Sequence, residues 1–157
     1  MKYNFCCWNK IKKGYINVDV KDFGQEIITD LNDEWDFIKD NSAEEIIIED
    51  GLEHLDSVIN FFIKAEKKLK KGGKIIIQLP HYKSPSAYVL THKHFFSWRT
   101  FDRFPSGYDE QQSFIVISNK LIVEKKIPIL NYIANIFPKY FERFFYVSGI
   151  RVILEKK

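Results

Sequence analysis

Two apolar runs, "EEIIIED" at residues 44–50 and "KIIIQLP" at 74–80, bracket a stretch of helical periodicity, and this arrangement constrains the fold more than any other feature. A continuous isoleucine run is apolar on both sides of an extended strand, which suits a strand in a sheet covered on both faces. Between the runs, "LEHLDSVINFFIKAEKKLKK" (52–71) spaces Leu55, Val58, Ile59, Phe62, Ala65, Glu66 and Leu69 by threes and fours, the pattern of an amphipathic helix. Lysines crowd its last turn, where they complement the helix dipole. Gly72 and Gly73 are expected to stop it, one of them in a left-handed cap.

The same alternation extends along the chain. Strands are expected at 2–7, at 15–20 after a turn at Gly14, at 26–29 ending before Asp30, at 114–126 with a bend at Ser118-Asn119, and at 145–157. Residues 81–113 read as loop and short helix, and Pro128 to Tyr140 as helical or irregular with an interruption at Pro138. Short β-branched runs alternating with helices predict a parallel α/β sheet. The expected architecture is one domain over 1–157: a Rossmann-like three-layer α/β sandwich with a mostly parallel seven-stranded sheet and an antiparallel edge strand.

Length and composition agree with that size. A chain of 157 residues is a one-domain length. Hydrophobic content of 45% and charged content of 29% are those of a globular protein. Charge is uneven. From Asp19 to Asp56, 14 acidic residues stand against two lysines, so this quarter carries −12 and the remainder +15 within an overall +3. A solvated surface accounts for most of this, while a negative cleft would suit a cationic ligand and a basic remainder an anionic one. No segment approaches the ~18 apolar residues of a membrane span, and the first residues lack the apolar core of a secretory signal. Cys6 and Cys7 are adjacent and read as free thiols, which points to a cytoplasmic location. The 14 phenylalanines concentrate in "FPKYFERFFYV" (137–147). Core packing is the first reading of that segment, and a partner-facing apolar patch is the alternative.

The segment "FCCWNKIKKGYINVD" (5–19) carries the clearest functional signal. It resembles the register "LGCGNK…GYINVD" of a compact subgroup of class I S-adenosylmethionine-dependent methyltransferases, with Asn9, Lys10 and Gly14 to Asp19 matching. "TDLN" (29–32), "IEDGLEHL" (48–55), "LKKGGKIIIQLP" (69–80) and "THKHFFSWRTF" (91–101) are similar to later landmarks of that subgroup, in order. The resemblance implies S-adenosylmethionine as cofactor, held at the carboxyl edge of the sheet by Cys6, Cys7, Trp8 and Asn9 in the first turn. It implies that Asp19 takes the ribose hydroxyls, that Asp30 and Leu31 flank the adenine, and that Asp50, Gly51 and Leu52 line the methionine side. The subgroup's frequent neighbourhood with cell-surface polysaccharide genes implies a sugar or small-molecule hydroxyl or amine as acceptor.

Methyl transfer is an in-line displacement, so the protein mainly aligns reactants, and a base takes the acceptor's proton. His81, after the fifth strand, and His54, at the start of the helix, are the candidates. His92 and His94 read as solvated loop residues; with no carboxylate close to them in sequence, no metal site is expected. Cys6 and Trp8 stand where such turns use glycine for close backbone approach. An indole pointing inward would fill the volume of the methionine carboxylate. Three readings therefore stand: an active methyltransferase, a methyltransferase-fold protein without cofactor that acts as a partner or scaffold, and a module binding nucleic acid or anionic glycan.

Overall fold

A computed structural model describes residues 1–102, 113–123 and 128–157. Seven strands form one sheet: β1 (Lys2–Phe5), β2 (Ile16–Asp19), β3 (Ile27–Ile28), β4 (Ala43–Glu49), β5 (Leu69–Pro80), β6 (Phe114–Ile122) and β7 (Gly149–Lys156). Their order is β3-β2-β1-β4-β5-β7-β6. The first five run parallel, and β7 is antiparallel to both β5 and β6. The reversed strand thus lies one place in from the edge. Residues 124–126, expected as the end of the sixth strand, and 103–112 of the expected loop lie outside the described residues.

The sheet's two faces differ. On one, Tyr3, Phe5, Ile46, Ile48, Ile75, Ile77, Val152 and Leu154 are in register and fully buried. Helix α1 (Val58–Lys68) covers them through Phe61, Phe62 and Ala65, together with Trp35 and Ile38 of the link between β3 and β4. Trp35 stands edge-on to Phe5 at 4.9 Å and to Phe61 at 5.4 Å. On the other face, Glu45, Glu49, Lys74, Ile76, Gln78, Ile153 and Glu155 are half-exposed. Its charges pair across strands, as in Lys74–Glu155 at 3.7 Å. In β5 only alternate isoleucines are covered, whereas all three of β4, Ile46, Ile47 and Ile48, are buried as a strand enclosed on both faces would have them. The links from β1 to β2 and from β2 to β3 contain no helix that could cover this face.

Parallel strands are usually joined by a helical crossover. Here residues 6–15 do the joining as a loop, and Asn17 holds it. Its Oδ1 accepts from Asn4 Nδ2 and from the Lys12 amide, both at 2.8 Å. Its Nδ2 donates to the carbonyls of Lys12 and Tyr15 and to Glu26 Oε2. Asn4 adds a bond to the Lys10 carbonyl at 3.0 Å. Both asparagines are buried, so the loop's backbone groups find their partners here rather than in a helix.

Helix α1 is shorter than the pattern predicts. A single 3-10 turn occupies Leu52–His54, and α1 begins after Ser57, whose side chain accepts from the Asn60 amide at 3.2 Å. The helix ends at Lys68, with Leu69 already extended. Gly72 and Gly73 lie inside β5, where the register with β4 shifts. Gly72 has φ +74°, and a Cβ on Gly73 would meet two carbonyl oxygens at 2.8 and 3.0 Å. The glycines thus serve a bulge rather than a helix cap.

Two short helices, α3 (Pro128–Ile136) and α4 (Pro138–Phe144), connect β6 to β7, while α2 (Trp98–Asp102) precedes β6. Pro138 opens α4 at its first turn. The core reading of 137–147 is corrected here: Phe137, Tyr140, Phe144, Phe145 and Tyr146 are all exposed, as are Ile129, Tyr132 and Ile133 of α3. Among these aromatic segments, Phe141 packs on the small second core formed by Leu121, Val123, Ala134 and Val147. No helix among the described residues is long and apolar enough to cross a membrane.

Candidate active site

In an open α/β sheet the ligand crevice forms where the strand order reverses, beyond the carboxyl ends. Here that point lies between β1 and β4. The turn after β1 is tight: the Lys10 amide donates to the Cys7 carbonyl at 2.8 Å, and the Cys7 amide donates to Val18 O at 3.2 Å. Cys6 and Trp8 have φ of +50° and +45°, so they hold the left-handed conformation that glycine would adopt without strain. The Trp8 indole does not plug the crevice. It is 55% exposed and stands edge-on to Phe23 at 6.4 Å. Asn9 is exposed and Cys7 buried.

The structure brings Asp19 directly under this turn. Its Oδ2 accepts the Trp8 amide at 2.8 Å, and its Oδ1 accepts the Lys21 amide at 3.2 Å. Each carboxylate oxygen has a second lone pair, so Asp19 retains capacity for a ribose diol. Asp30 is half-buried at the end of β3, its Oδ1 accepting the Asn32 amide at 2.8 Å. Leu31 and Leu52 are buried members of the hydrophobic core. Asp50 is exposed, has φ +53°, and pairs with Lys10 at 3.6 Å.

The side chain that enters the crevice is Cys6. A Cβ on Gly51 would lie 2.6 Å from both its Cβ and its Sγ. The thiol fills the gap between the turns after β1 and β4. Burial, reinforced by the charges of Asp19 and Glu53, pushes its pKa up to about 12. Cys7 is raised as well, mainly by burial. Neither cysteine is in a disulfide.

The histidines separate into distinct environments. His81 is fully buried: its Nε2 is 3.1 Å from Glu142 Oε2, and its Nδ1 accepts the Lys83 amide at 3.2 Å. With both ring nitrogens engaged, it has no lone pair to offer a substrate. Burial lowers its pKa, against the raising effect of Glu142. His54 is half-buried, with Nδ1 3.2 Å from the Thr91 carbonyl. Its ring meets that of His92 edge-on at 4.5 Å, and burial lowers its pKa too. His94 Nε2 bonds the Leu55 carbonyl at 2.8 Å. Sequence reasoning passed over Glu53. It is 1% exposed, and neither carboxylate oxygen has a hydrogen-bond partner in another residue among the described residues. Burial, with Asp50 adding to it, raises its pKa to about 7.

Two cavities accompany the site. One of about 450 Å³ opens beyond the carboxyl ends of β4 and β5, between Asp50, Gln78, Ser84, Ser86, Tyr146 and Ser148. A more apolar one of about 540 Å³ lies between α1 and residues 93–101. It shares no residue with the turn after β1, with Asp19 or with Asp30.

A seven-stranded sheet with β7 reversed next to β5, a turn after β1 and an acid at the end of β2 together define the class I S-adenosylmethionine-dependent methyltransferase fold. Among solved structures, the chain is similar to a SAM-dependent methyltransferase from Archaeoglobus fulgidus, with TM-score 0.68 and 15% identity over 99% of this chain and 85% of that one. It is also similar to an S-adenosylmethionine-dependent methyltransferase from Mesorhizobium loti, with TM-score 0.59 and 11% identity over 99% and 90%. A third likeness is to a Haloferax volcanii protein in complex with the Trm112 methyltransferase activator, with TM-score 0.67 and 12% identity over 99% and 81%. At such identities the likeness speaks for the fold alone. No family model matches the chain, and no curated protein does.

Proposed function

We propose that the chain binds S-adenosylmethionine at the edge formed by β1, β2 and β4 and transfers its methyl group to a hydroxyl or amine of a small molecule or saccharide. The observation that carries this reading is the turn after β1. It keeps a left-handed backbone at Cys6 and Trp8 although neither is glycine, and it faces Asp19. Non-glycine residues in that region cost on the order of 1–3 kcal/mol each and gather at functional sites. The residues present fit the cofactor with one constriction, at Cys6. Asp19 would hold the ribose hydroxyls, Asp30 the adenine amine, and Asp50 with the Gly51 backbone the methionine tail. The cofactor itself supplies an activated methyl group.

The cavity of about 450 Å³ beside Asp50 offers hydroxyl, amide and carboxylate groups, a lining suited to a polyol. The Nε2 of His54 has no hydrogen-bond partner among the described residues, and His54 is the residue that would receive the acceptor's proton; His81 does not take that role. The two free cysteines suit a cytoplasmic setting. The exposed aromatic face of α3 and α4 is a natural place for a protein partner.

Titration calorimetry and thermal shift with S-adenosylmethionine and its demethylated product test the reading. Saturable binding is expected, weakened at least about tenfold by Asp19→Ala and tightened by Cys6→Gly. One observation favours the non-catalytic alternative: the Cys6 thiol already occupies the gap beside Gly51. No heat and no thermal shift with either ligand at millimolar concentration would leave that alternative in place.

A further inference from the structure

We propose that Glu53, His54 and His92 form a binding site for a first-row divalent transition metal such as Zn²⁺. One ligand atom from each of the three lies within 4.8 Å of the other two. They come from separate parts of the chain: Glu53 and His54 from the 3-10 turn after β4, His92 from the segment after β5. The amide of Lys93 donates to the Glu53 carbonyl at 2.8 Å, which fixes the two segments together.

Three features point to a cation rather than to a packed polar cluster. Glu53 is 1% exposed, and neither of its carboxylate oxygens has a hydrogen-bond partner in another residue among the described residues. An unpaired buried carboxylate is costly, and buried charges are normally paired or bound to metal. The two imidazoles are oriented as ligands. His54 Nδ1 and His92 Nδ1 lie 3.2 and 3.0 Å from the carbonyls of Thr91 and Ala87. A carbonyl only accepts, so each Nδ1 carries the proton and each Nε2 presents a lone pair. Metal-bound histidines are held in this way, with the far ring nitrogen donating to a backbone carbonyl or carboxylate. Neither Nε2 is hydrogen-bonded among the described residues. Finally, the two rings stand edge-on at 84° with centroids 4.5 Å apart, and a ring nitrogen of each lies within 4.8 Å of a Glu53 carboxylate oxygen.

Ligand atoms on one zinc ion, at bonds of about 2.0–2.2 Å, are roughly 3.3 Å apart. Closing from 4.8 Å asks for a shift of about 1.5 Å, within reach of side-chain rotation. Two imidazoles and one carboxylate favour zinc, copper, nickel or iron over magnesium and calcium. Three protein ligands leave a coordination position open for water or substrate. If the methyl-transfer reading also holds, the ion would sit beside His54 and replace its proton-accepting role by Lewis acidity. Metal binding itself does not depend on that reading.

The test is calorimetry of the chelator-treated protein with Zn²⁺ alone and Co²⁺ alone, no cofactor present, together with the visible absorption of the Co²⁺ form. One saturating equivalent is expected, at least about tenfold weaker in His92→Ala and in Glu53→Gln, and unchanged in His94→Ala. His92 lies in a surface segment, so that variant remains informative if the buried Glu53 substitution impairs folding. Absence of saturable binding, or affinity unaltered in His92→Ala, overturns the proposal. Zinc binding without any response to S-adenosylmethionine would remove the methyl-transfer reading and leave this one standing.

Discussion

The Cβ that Gly51 lacks would fall 2.6 Å from the Sγ of Cys6. The turns after β1 and β4 therefore share the room of a single side chain, and the chain places it on the β1 turn. The consequence is a coupled pair at the centre of the candidate cofactor crevice, in place of the paired small residues such a crevice normally uses.

Gly51→Ala should destabilise the protein by about 1–3 kcal/mol, the usual cost of overpacking. Cys6→Gly in the same chain should recover most of that loss. Urea denaturation of the four members of the cycle measures the coupling, which is expected to exceed about 0.5 kcal/mol for residues in direct contact. Additive behaviour would mean that the two turns move apart and that the crevice is wider than it looks.

Both thiols should be inert in the native protein. Cys6, with its pKa pushed up to about 12, holds almost no thiolate at mildly alkaline pH, and only the thiolate attacks a disulfide reagent. Colorimetric labelling is expected to be slow until urea is added, when two thiols should react at once. Rapid labelling of the folded protein would contradict the packing described for Cys6.

Asn17→Ala should cost about 3 kcal/mol or more. It removes a partner from the buried amide of Asn4 and from the backbone groups of Lys12 and Tyr15, and each buried group left unsatisfied costs about 1–3 kcal/mol. Equilibrium denaturation gives the value. A loss below about 1 kcal/mol would show that water replaces the side chain and that the loop is not held by it.

Stability should fall as the medium is acidified through the range of His81. Its folded pKa is lowered, chiefly by burial, so the unfolded chain takes up the proton first. The contribution is therefore fully present above the ordinary histidine value of about 6.5 and declines as pH drops toward the folded value. Glu142 and Lys83 act on this group, Arg99 lies 3.9 Å from Glu142, and Glu142 limits the loss. Denaturation across that pH interval should show a shallower dependence in His81→Gln, where the imidazole no longer titrates. Equal slopes in the two proteins would place the pH sensitivity elsewhere.

The parts of this fold readable in the sequence are those in which one residue type answers one local demand. The isoleucines of β4 and β5 and the "GYINVD" segment of β2 mark their strands plainly, because burial within a sheet selects them. The helix between them was overdrawn. Gly72 and Gly73 look the same whether they cap a helix or relieve a bulge, and Phe61 falls outside the stripe drawn through Phe62 and Ala65. The exposed aromatics of α4 escaped for a different reason: apolar residues are not bound to be buried, and composition carries no direction. For the candidate site, Asp19 was legible because it ends a recognisable strand. Glu53 and His92 were not, since their meeting depends on how the segment after β5 folds back over the 3-10 turn. Whether His81 is free or sealed depends on Glu142, on a helix inserted much later in the chain.

The uneven dressing of the sheet has a thermodynamic corollary. Water already reaches one side of β5 and β7 in the native state, so unfolding uncovers less new hydrocarbon than it would for a sheet enclosed on both sides. The heat-capacity increment per residue should accordingly be small, and the free energy of this chain should vary with temperature along a broad, shallow arc.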